Sequence, residues 1–278
     1  MTRTLITGAG GQLGCDLVAA FAGDDVIAAT RSDLDVSDRD SVLSVVLTVQ
    51  PDIVIHAGAW TAVDACEADP DRAFRVNAYG TRNVAEGARR VGAHLVYVST
   101  DYVFDGAAAA PYREWDATNP QSVYGRSKLG GEREVDAGST IVRTSWVCGA
   151  AGNNFVAKML QLAAERDTWG VVDDQRGCPT FTPDLARMIR VLAVDRRPGR
   201  FHVTNQGPTT WFELGREALA LAGFAPDKIT PMSTAAYGAP APRPANSVLD
   251  NAALRAAGIP LLADYHDPLA SLVKELST

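Results

Sequence analysis

Five short runs rich in β-branched and apolar residues recur through the first half of the chain, at 4–7, 26–30, 53–57, 94–99 and 140–144. Several are apolar almost throughout, the pattern of strands buried on both faces rather than of strands with one wet side. The stretches between them, at 12–22, 38–49, 70–91 and 122–135, carry helical spacing and are long enough to be crossovers. Parallel neighbours require such crossovers, and these connections are almost always right-handed. The alternation therefore predicts an α/β fold, a doubly wound parallel sheet of the Rossmann type.

The second half is less regular. Residues 153–166 and 211–222 read as amphipathic helices, 182–194 as a helix with Pro183 in its first turn, and 200–204 as a strand. Residues 238–244, Gly-Ala-Pro-Ala-Pro-Arg-Pro, admit neither helix nor strand and are expected to be extended. The expected division is a dinucleotide-binding domain over 1–150, which also receives segments of 177–210. A smaller, mixed α+β substrate cap covers most of 151–278.

Residues 4–14 read Thr-Leu-Ile-Thr-Gly-Ala-Gly-Gly-Gln-Leu-Gly, placing Gly8, Gly11 and Gly14 at a strand-to-helix turn. In that context Gly8 permits a tight turn, Gly11 lets a phosphate approach the backbone, and Gly14 lets helix and strand pack closely. The free N–H groups of such a helix start, and its dipole, suit a dinucleotide pyrophosphate. The second strand ends in Thr30-Arg31-Ser32 rather than in an acid. A hydroxyl and a guanidinium suit a ribose 2′-phosphate better than a bare diol, which favours NADPH while leaving NADH possible.

Strand four runs into Ser99-Thr100-Asp101-Tyr102-Val103-Phe104-Asp105-Gly106, and Tyr124-Gly125-Arg126-Ser127-Lys128 follows on a helix. Tyr124 and Lys128 are four residues apart and share a face. A phenol is a sluggish acid at neutral pH, and a nearby ammonium, together with the positive nicotinamide of a bound oxidised cofactor, would stabilise its phenolate. Thr100, at the end of a strand where doubly wound sheets bind ligands, would hydrogen-bond the same substrate oxygen. Tyr124, Lys128 and Thr100 are therefore the candidate catalytic residues.

These three features together resemble the extended short-chain dehydrogenase/reductase superfamily. The chain is similar more narrowly to the dTDP-4-dehydrorhamnose reductase family. The narrower likeness lies in Arg143-Thr144-Ser145-Trp146-Val147, Asp174-Gln175-Arg176-Gly177-Cys178-Pro179-Thr180 and Arg243-Pro244-Ala245-Asn246-Ser247. The resemblance implies hydride delivery from NADPH to C4 of a 4-keto-6-deoxy sugar nucleotide, with Tyr124 as proton donor and Lys128 touching the nicotinamide ribose. It implies Gly11, Gln12 and Leu13 at the pyrophosphate, Asp35 and Val36 by the adenine, and Ala57, Gly58 and Ala59 lining the cofactor groove. It places Thr100, Asp101 and Trp146 at the sugar and Arg243 and Asn246 at the nucleotide diphosphate. Two other readings use the same fold: an epimerase or dehydratase that retains its NAD, and a non-catalytic dinucleotide-binding regulatory subunit. The latter type tends to lose the tyrosine and lysine that this chain keeps.

Other chemistries lack support. A net charge of −7 argues against nucleic acid and anionic membranes as partners. No apolar run reaches the length of about 18 residues that a membrane span needs, and the N-terminus meets glycine too soon for a secretory signal. Cys15, Cys66, Cys148 and Cys178 lie far apart without a C-x-x-C, so they read as free thiols in a reducing cytoplasm. G-x-S-x-G and P-loop motifs are absent. His56, His94, His202 and His266 are scattered and expected to be structural, with His56, on a cofactor-facing strand, the exception to watch. Asp16 is a candidate metal ligand only by family analogy, and no catalytic metal is expected. Trp60 and Trp211 read as core or interface residues. The expected assembly is a monomer or a homodimer.

Overall fold

A computed structural model of the chain describes residues 2–277. Its centre is a parallel sheet of β1 (Arg3–Thr7), β2 (Asp25–Ala29), β3 (Ile53–His56), β4 (His94–Thr100), β5 (Thr140–Thr144) and β10 (Gly199–His202). The strand order is β10-β5-β4-β3-β1-β2. The order reverses between β1 and β3, so the connections leaving their C-terminal ends diverge and open a crevice there, where open α/β sheets bind ligands. Alternation along each strand separates two cores. Ile6, Ile53, Ile55, Val96 and Val142 pack against Leu13 and Leu17 of α1 (Gln12–Ala20) and Leu185, Ile189 and Leu192 of α8 (Thr182–Val194). Leu5, Val54 and Leu95 face the other way, onto α2 (Arg39–Val49) and α5 (Gly80–Val91). The catalytic-helix candidate, α6 (Val123–Glu134), packs beside α5 and over β4.

The remaining elements form a layer over the C-terminal edge of the sheet. They include α7 (Phe155–Glu165), the parallel pair β7 (Trp169–Val172) and β12 (Ile229–Met232), α9 (Trp211–Leu221), the short α10 (Thr234–Tyr237) and α12 (His266–Leu276). Their contacts make two apolar clusters, one around Leu214, Leu269 and Val273, the other around Met159, Leu219 and Ile229. Short bridges between β6 (Val147–Cys148) and β9 (Thr180–Phe181), and between β8 (Arg176–Gly177) and β11 (Thr209–Thr210), stitch this layer to the sheet. The chain returns to the sheet late: Leu254, on α11 (Ala252–Ala256), and Ile259 sit in the α1/α8 core.

The helix expected over 70–91 is interrupted. The observed elements are α3 (Val63–Ala68), which the sequence did not signal, then α4 (Pro70–Phe74), a wide π turn over Arg75–Tyr79, and α5. Within that wide turn the Asn77 side chain faces inward. Its Oδ1 accepts from Trp60 N at 2.8 Å, and its Nδ2 donates to Trp60 O at 3.0 Å and to Ser127 Oγ at 2.9 Å. One amide thus ties the loop after β3 to α6. Cys15 is exposed and the other three cysteines are buried free thiols. No helix among the described residues is long and apolar enough to cross a membrane.

A buried ion pair fastens α6 to the sheet. Arg143 Nε and Nη2 meet Glu132 Oε1 and Oε2 at 2.8 and 2.7 Å, and Ser99 Oγ donates to Oε1 at 2.6 Å. Both side chains are only 2% exposed. Removing one partner strands a charge without water, a loss of about 3–5 kcal/mol. Glu132→Ala should lose that much in denaturant melts, and a loss under about 1 kcal/mol, the scale of an exposed pair, would contradict this account.

Candidate active site

The turn after β1 is built on two steric necessities. Gly8 has φ +73°, and a Cβ there would lie 2.7 Å from the Gly58 nitrogen. A Cβ on Gly14 would lie 2.1 Å from the Gly8 carbonyl oxygen. The turns after β1 and β3 therefore press on one another as only glycine permits. Helix α1 starts at Gln12 with no side-chain cap and no acid in its first turn. Its leading N–H groups and the positive end of its dipole are free for an anion. A groove of about 430 Å³ runs over this turn. Gly8, Gly11, Arg31, Asp35, Val36, Ala57, Gly58 and Ala59, all expected from sequence, line it. The groove fits an extended dinucleotide: a bare backbone cradle at one end and an arginine beside the second strand at the other.

Three sequence-expected cofactor residues stand behind the groove wall. Gly14 serves packing, Leu13 is buried, and Gln12 spends its side chain on the neighbouring loop, donating to Val147 O at 2.9 Å and accepting from Gly149 N at 3.2 Å. Gln12 and Leu13 can offer a phosphate only their backbone N–H groups. Five groove residues escaped the sequence reading: Gly10, Leu34, Trp60, Arg72 and Val76. Trp60 packs on an apolar cluster, as expected, but also lines the groove, and the Arg72 guanidinium lies 4.3 Å from its ring centre. His56 is structural: it is fully buried, with Nδ1 2.7 Å from Thr7 Oγ1 and Nε2 3.2 Å from Thr81 Oγ1. Burial, and then the Lys128 charge, push its pKa down to about 3, so it is neutral.

The catalytic candidates converge where β4 meets α6. Ser122 caps α6 by accepting from Gly125 N at 3.0 Å, and Glu67 Oε1 accepts from Val123 N at 2.7 Å. These caps fix the helix start that carries Tyr124. Tyr124 shares a buried cluster with Cys66, Ala73 and Val123, against which Trp60, Val63 and Tyr102 pack, and its ring plane meets that of Tyr102 at 73°. Burial raises the Tyr124 pKa well above the ordinary phenol value, against a smaller lowering by the Thr100 hydroxyl. Burial thus disfavours the phenolate that a neighbouring ammonium would favour. The phenol is firmly protonated, the form that a proton donor needs.

Lys128 is fully buried, and its Nζ donates to Val98 O at 2.7 Å from a position 4.2 Å above the Tyr97 ring centre. Burial pulls its pKa down to about 7. Asp101 is also buried, and burial lifts its pKa to about 6, partly offset by the Ser247 and Thr100 hydroxyls. Thr100 Oγ1 donates to Asp101 Oδ1 at 2.9 Å. A hydroxyl has one proton to give, so Thr100 is committed to Asp101 here and is free only to accept on its other side.

A second cavity, about 810 Å³, opens on the cap side and is walled by Val63, Tyr102, Phe155, Trp169, Trp211 and Arg243, among others. Trp169 Nε1 and Arg243 Nη1 are buried there without hydrogen-bond partners. Arg243, a residue expected at the diphosphate, lines this cavity. Trp146 stands behind the wall, in a left-handed conformation at φ +47°, its ring stacked 3.5 Å from that of Trp211. Asn246 does not reach the cavity: its Nδ2 donates to Ala108 O at 2.7 Å and its Oδ1 accepts from Val248 N at 3.2 Å. Its amide shapes the 107–110 loop instead. Among the described residues no group of three or more His, Cys, Asp or Glu side chains could hold a metal ion, and Asp16 lies past the first turn of α1.

The family described as RmlD substrate binding domain matches residues 2–278. The chain is 44% identical to dTDP-4-dehydrorhamnose reductase of Streptomyces griseus, over 96% of this chain and 91% of that protein. It is 43% identical to dTDP-4-keto-6-deoxy-D-glucose reductase of Streptomyces niveus, over 92% and 91%. The crystal structure of dTDP-4-dehydrorhamnose reductase from Bacillus anthracis in complex with NADP superposes with a TM-score of 0.95, at 38% identity and 99% coverage of both chains.

The buried lysine makes stability depend on pH. With a folded pKa near 7 and an unfolded value of 10.5, the unfolded chain holds a proton that the folded one sheds between those values. Below pH 7 both states are charged and the full burial penalty applies; above it the penalty shrinks. Lys128→Met should therefore stabilise the protein more at pH 6 than at pH 9, by on the order of 2 kcal/mol. Thermal melts at the two pH values check this, and an equal or reversed difference would refute it.

Proposed function

We propose that this chain, which belongs to the RmlD substrate binding domain family and is an NAD(P)H-dependent oxidoreductase, reduces the C4 keto group of dTDP-4-dehydro-6-deoxy-L-mannose to give dTDP-L-rhamnose. One observation carries the reading. Tyr124 belongs to an apolar cluster against which pack Trp60, which lines the dinucleotide groove, and Val63 and Tyr102, which line the cap cavity. A proton donor is thus held where the two pockets meet.

The cofactor is NADPH, held by the glycine turn, the leading amides of α1 and Arg31; when bound it supplies the hydride. The chain's own residues supply the rest. Tyr124 donates its proton to the carbonyl oxygen as negative charge develops there, and its raised pKa keeps it loaded at neutral pH. When substrate binds, Thr100 turns its hydroxyl proton from Asp101 to the substrate oxygen and fixes that oxygen in line with the phenol. Lys128, anchored on the Val98 carbonyl, presents a cation or a neutral amine to the adjoining ribose according to pH. Stacked aromatic rings of the cap exclude water from the sugar, and Arg243 offers its unpartnered nitrogen to the diphosphate. Burial of three cysteines as free thiols suits work in the cytoplasm.

Turnover is followed as NADPH oxidation with dTDP-4-dehydro-6-deoxy-L-mannose. Tyr124→Phe should lower kcat by about 10²–10⁴-fold, the usual worth of a positioned acid, with little change in KM; near-native turnover would rule Tyr124 out as the donor. Arg31→Ala should raise the KM for NADPH about tenfold and leave that for NADH nearly unchanged, since only the 2′-phosphate contact is lost. Equal effects on both would show that Arg31 does not read the phosphate.

A further inference from the structure

Short helix α3 touches both pockets' surroundings, and one of its side chains has no role in the mechanism above. Asp64 follows Val63, a wall residue of the cap cavity. Its Oδ1 accepts from Ala241 N at 3.1 Å and its Oδ2 from Arg243 Nη2 at 2.8 Å. A single carboxylate therefore holds the Pro-rich strap over 238–244 by its backbone and by its only charged side chain. The guanidinium is much the less exposed partner, 15% against 43% for Asp64. Its other nitrogen, Nη1, is buried without a partner, beside Tyr102 in the cavity wall. A buried guanidinium N–H left unpaired is costly, so it marks a place where a ligand acceptor belongs.

We propose that Asp64 is a positioning residue for the substrate: it holds the strap and one edge of Arg243 so that the other edge, with Tyr102, faces the diphosphate of a nucleoside-diphosphate sugar. This rests on the proposed substrate class. It has a sign that charge alone does not. Were Asp64 only a competing anion, removing it would strengthen diphosphate binding. As a positioning group, its removal frees the strap and weakens binding.

The test measures thymidine diphosphate affinity by calorimetry on the full chain, alongside steady-state kinetics. Asp64→Ala should raise the Kd for thymidine diphosphate and the KM for the nucleotide sugar about tenfold, with kcat and the KM for NADPH held within about twofold. Asp64→Asn, whose amide oxygen can still accept one of the two hydrogen bonds, should recover most of that loss. Adding Asp64→Ala to Arg243→Ala should cost nothing further, because the two act as a unit. Unchanged or tighter binding in Asp64→Ala, additive losses in the double variant, or an equal fall in kcat would each overturn the proposal. If the unsubstituted chain binds thymidine diphosphate yet fails to reduce the sugar, the proposed reaction falls while the affinity series still decides on Asp64. Failure to bind thymidine diphosphate at all overturns both.

Discussion

Everything at this site depends on α6 being pressed onto β4 with a lysine in between. Lys128 has no water; its ammonium is satisfied by the Val98 carbonyl and the face of Tyr97. Such burial is expensive, and the lowered pKa expresses the expense. The surroundings hold the helix there regardless. Glu132, one turn on from Lys128, is locked to Arg143 and Ser99, while the Tyr97 hydroxyl donates to the Lys128 carbonyl at 3.2 Å. At the other end Glu67 and Ser122 cap the helix. Stability is given up at one residue and recovered at its neighbours, the usual arrangement where function needs a strained group.

Neutral tyrosine and near-neutral lysine follow from that same dryness. Desolvation disfavours the charged form of each, so it raises the phenol and lowers the amine. For a reductase this is the useful direction, because the donor must hold its proton until the carbonyl oxygen gains charge. The groove over the glycine turn and the cap cavity are then joined through few residues. The loop after β3 carries Trp60 to one pocket and Val63 to the other, and Asn77 pins that loop to Ser127 on α6.

The layered fold was legible because its signals are local. Buried parallel strands leave apolar runs, and the observed strands begin and end within a residue or two of them. The glycine turn was legible because backbone collisions at Gly8 and Gly14 admit no other residue. The tyrosine, lysine and threonine were legible by register alone. What sequence concealed depends on partners distant in the chain. Nothing in 60–64 announces that Trp60 faces a groove or that Asp64 reaches residues 241–243. Nor does the stretch 70–91 reveal a π turn, within which the Asn77 side chain bonds to Trp60 and Ser127, both distant in the chain. For Tyr124, spacing reveals the neighbouring ammonium but not the burial that opposes its effect. Asn246 was assigned to substrate on motif alone, while its amide is consumed by the 107–110 loop.

The most direct test of the central claim follows the hydride. The protein is supplied with NADPH deuterated at both C4 positions of the nicotinamide and with dTDP-4-dehydro-6-deoxy-L-mannose. The product should carry one deuterium, at C4 of the sugar, by mass spectrometry and NMR, with one NADP⁺ formed per sugar. Sugar product without deuterium, or turnover without net NADPH consumption, would contradict the account.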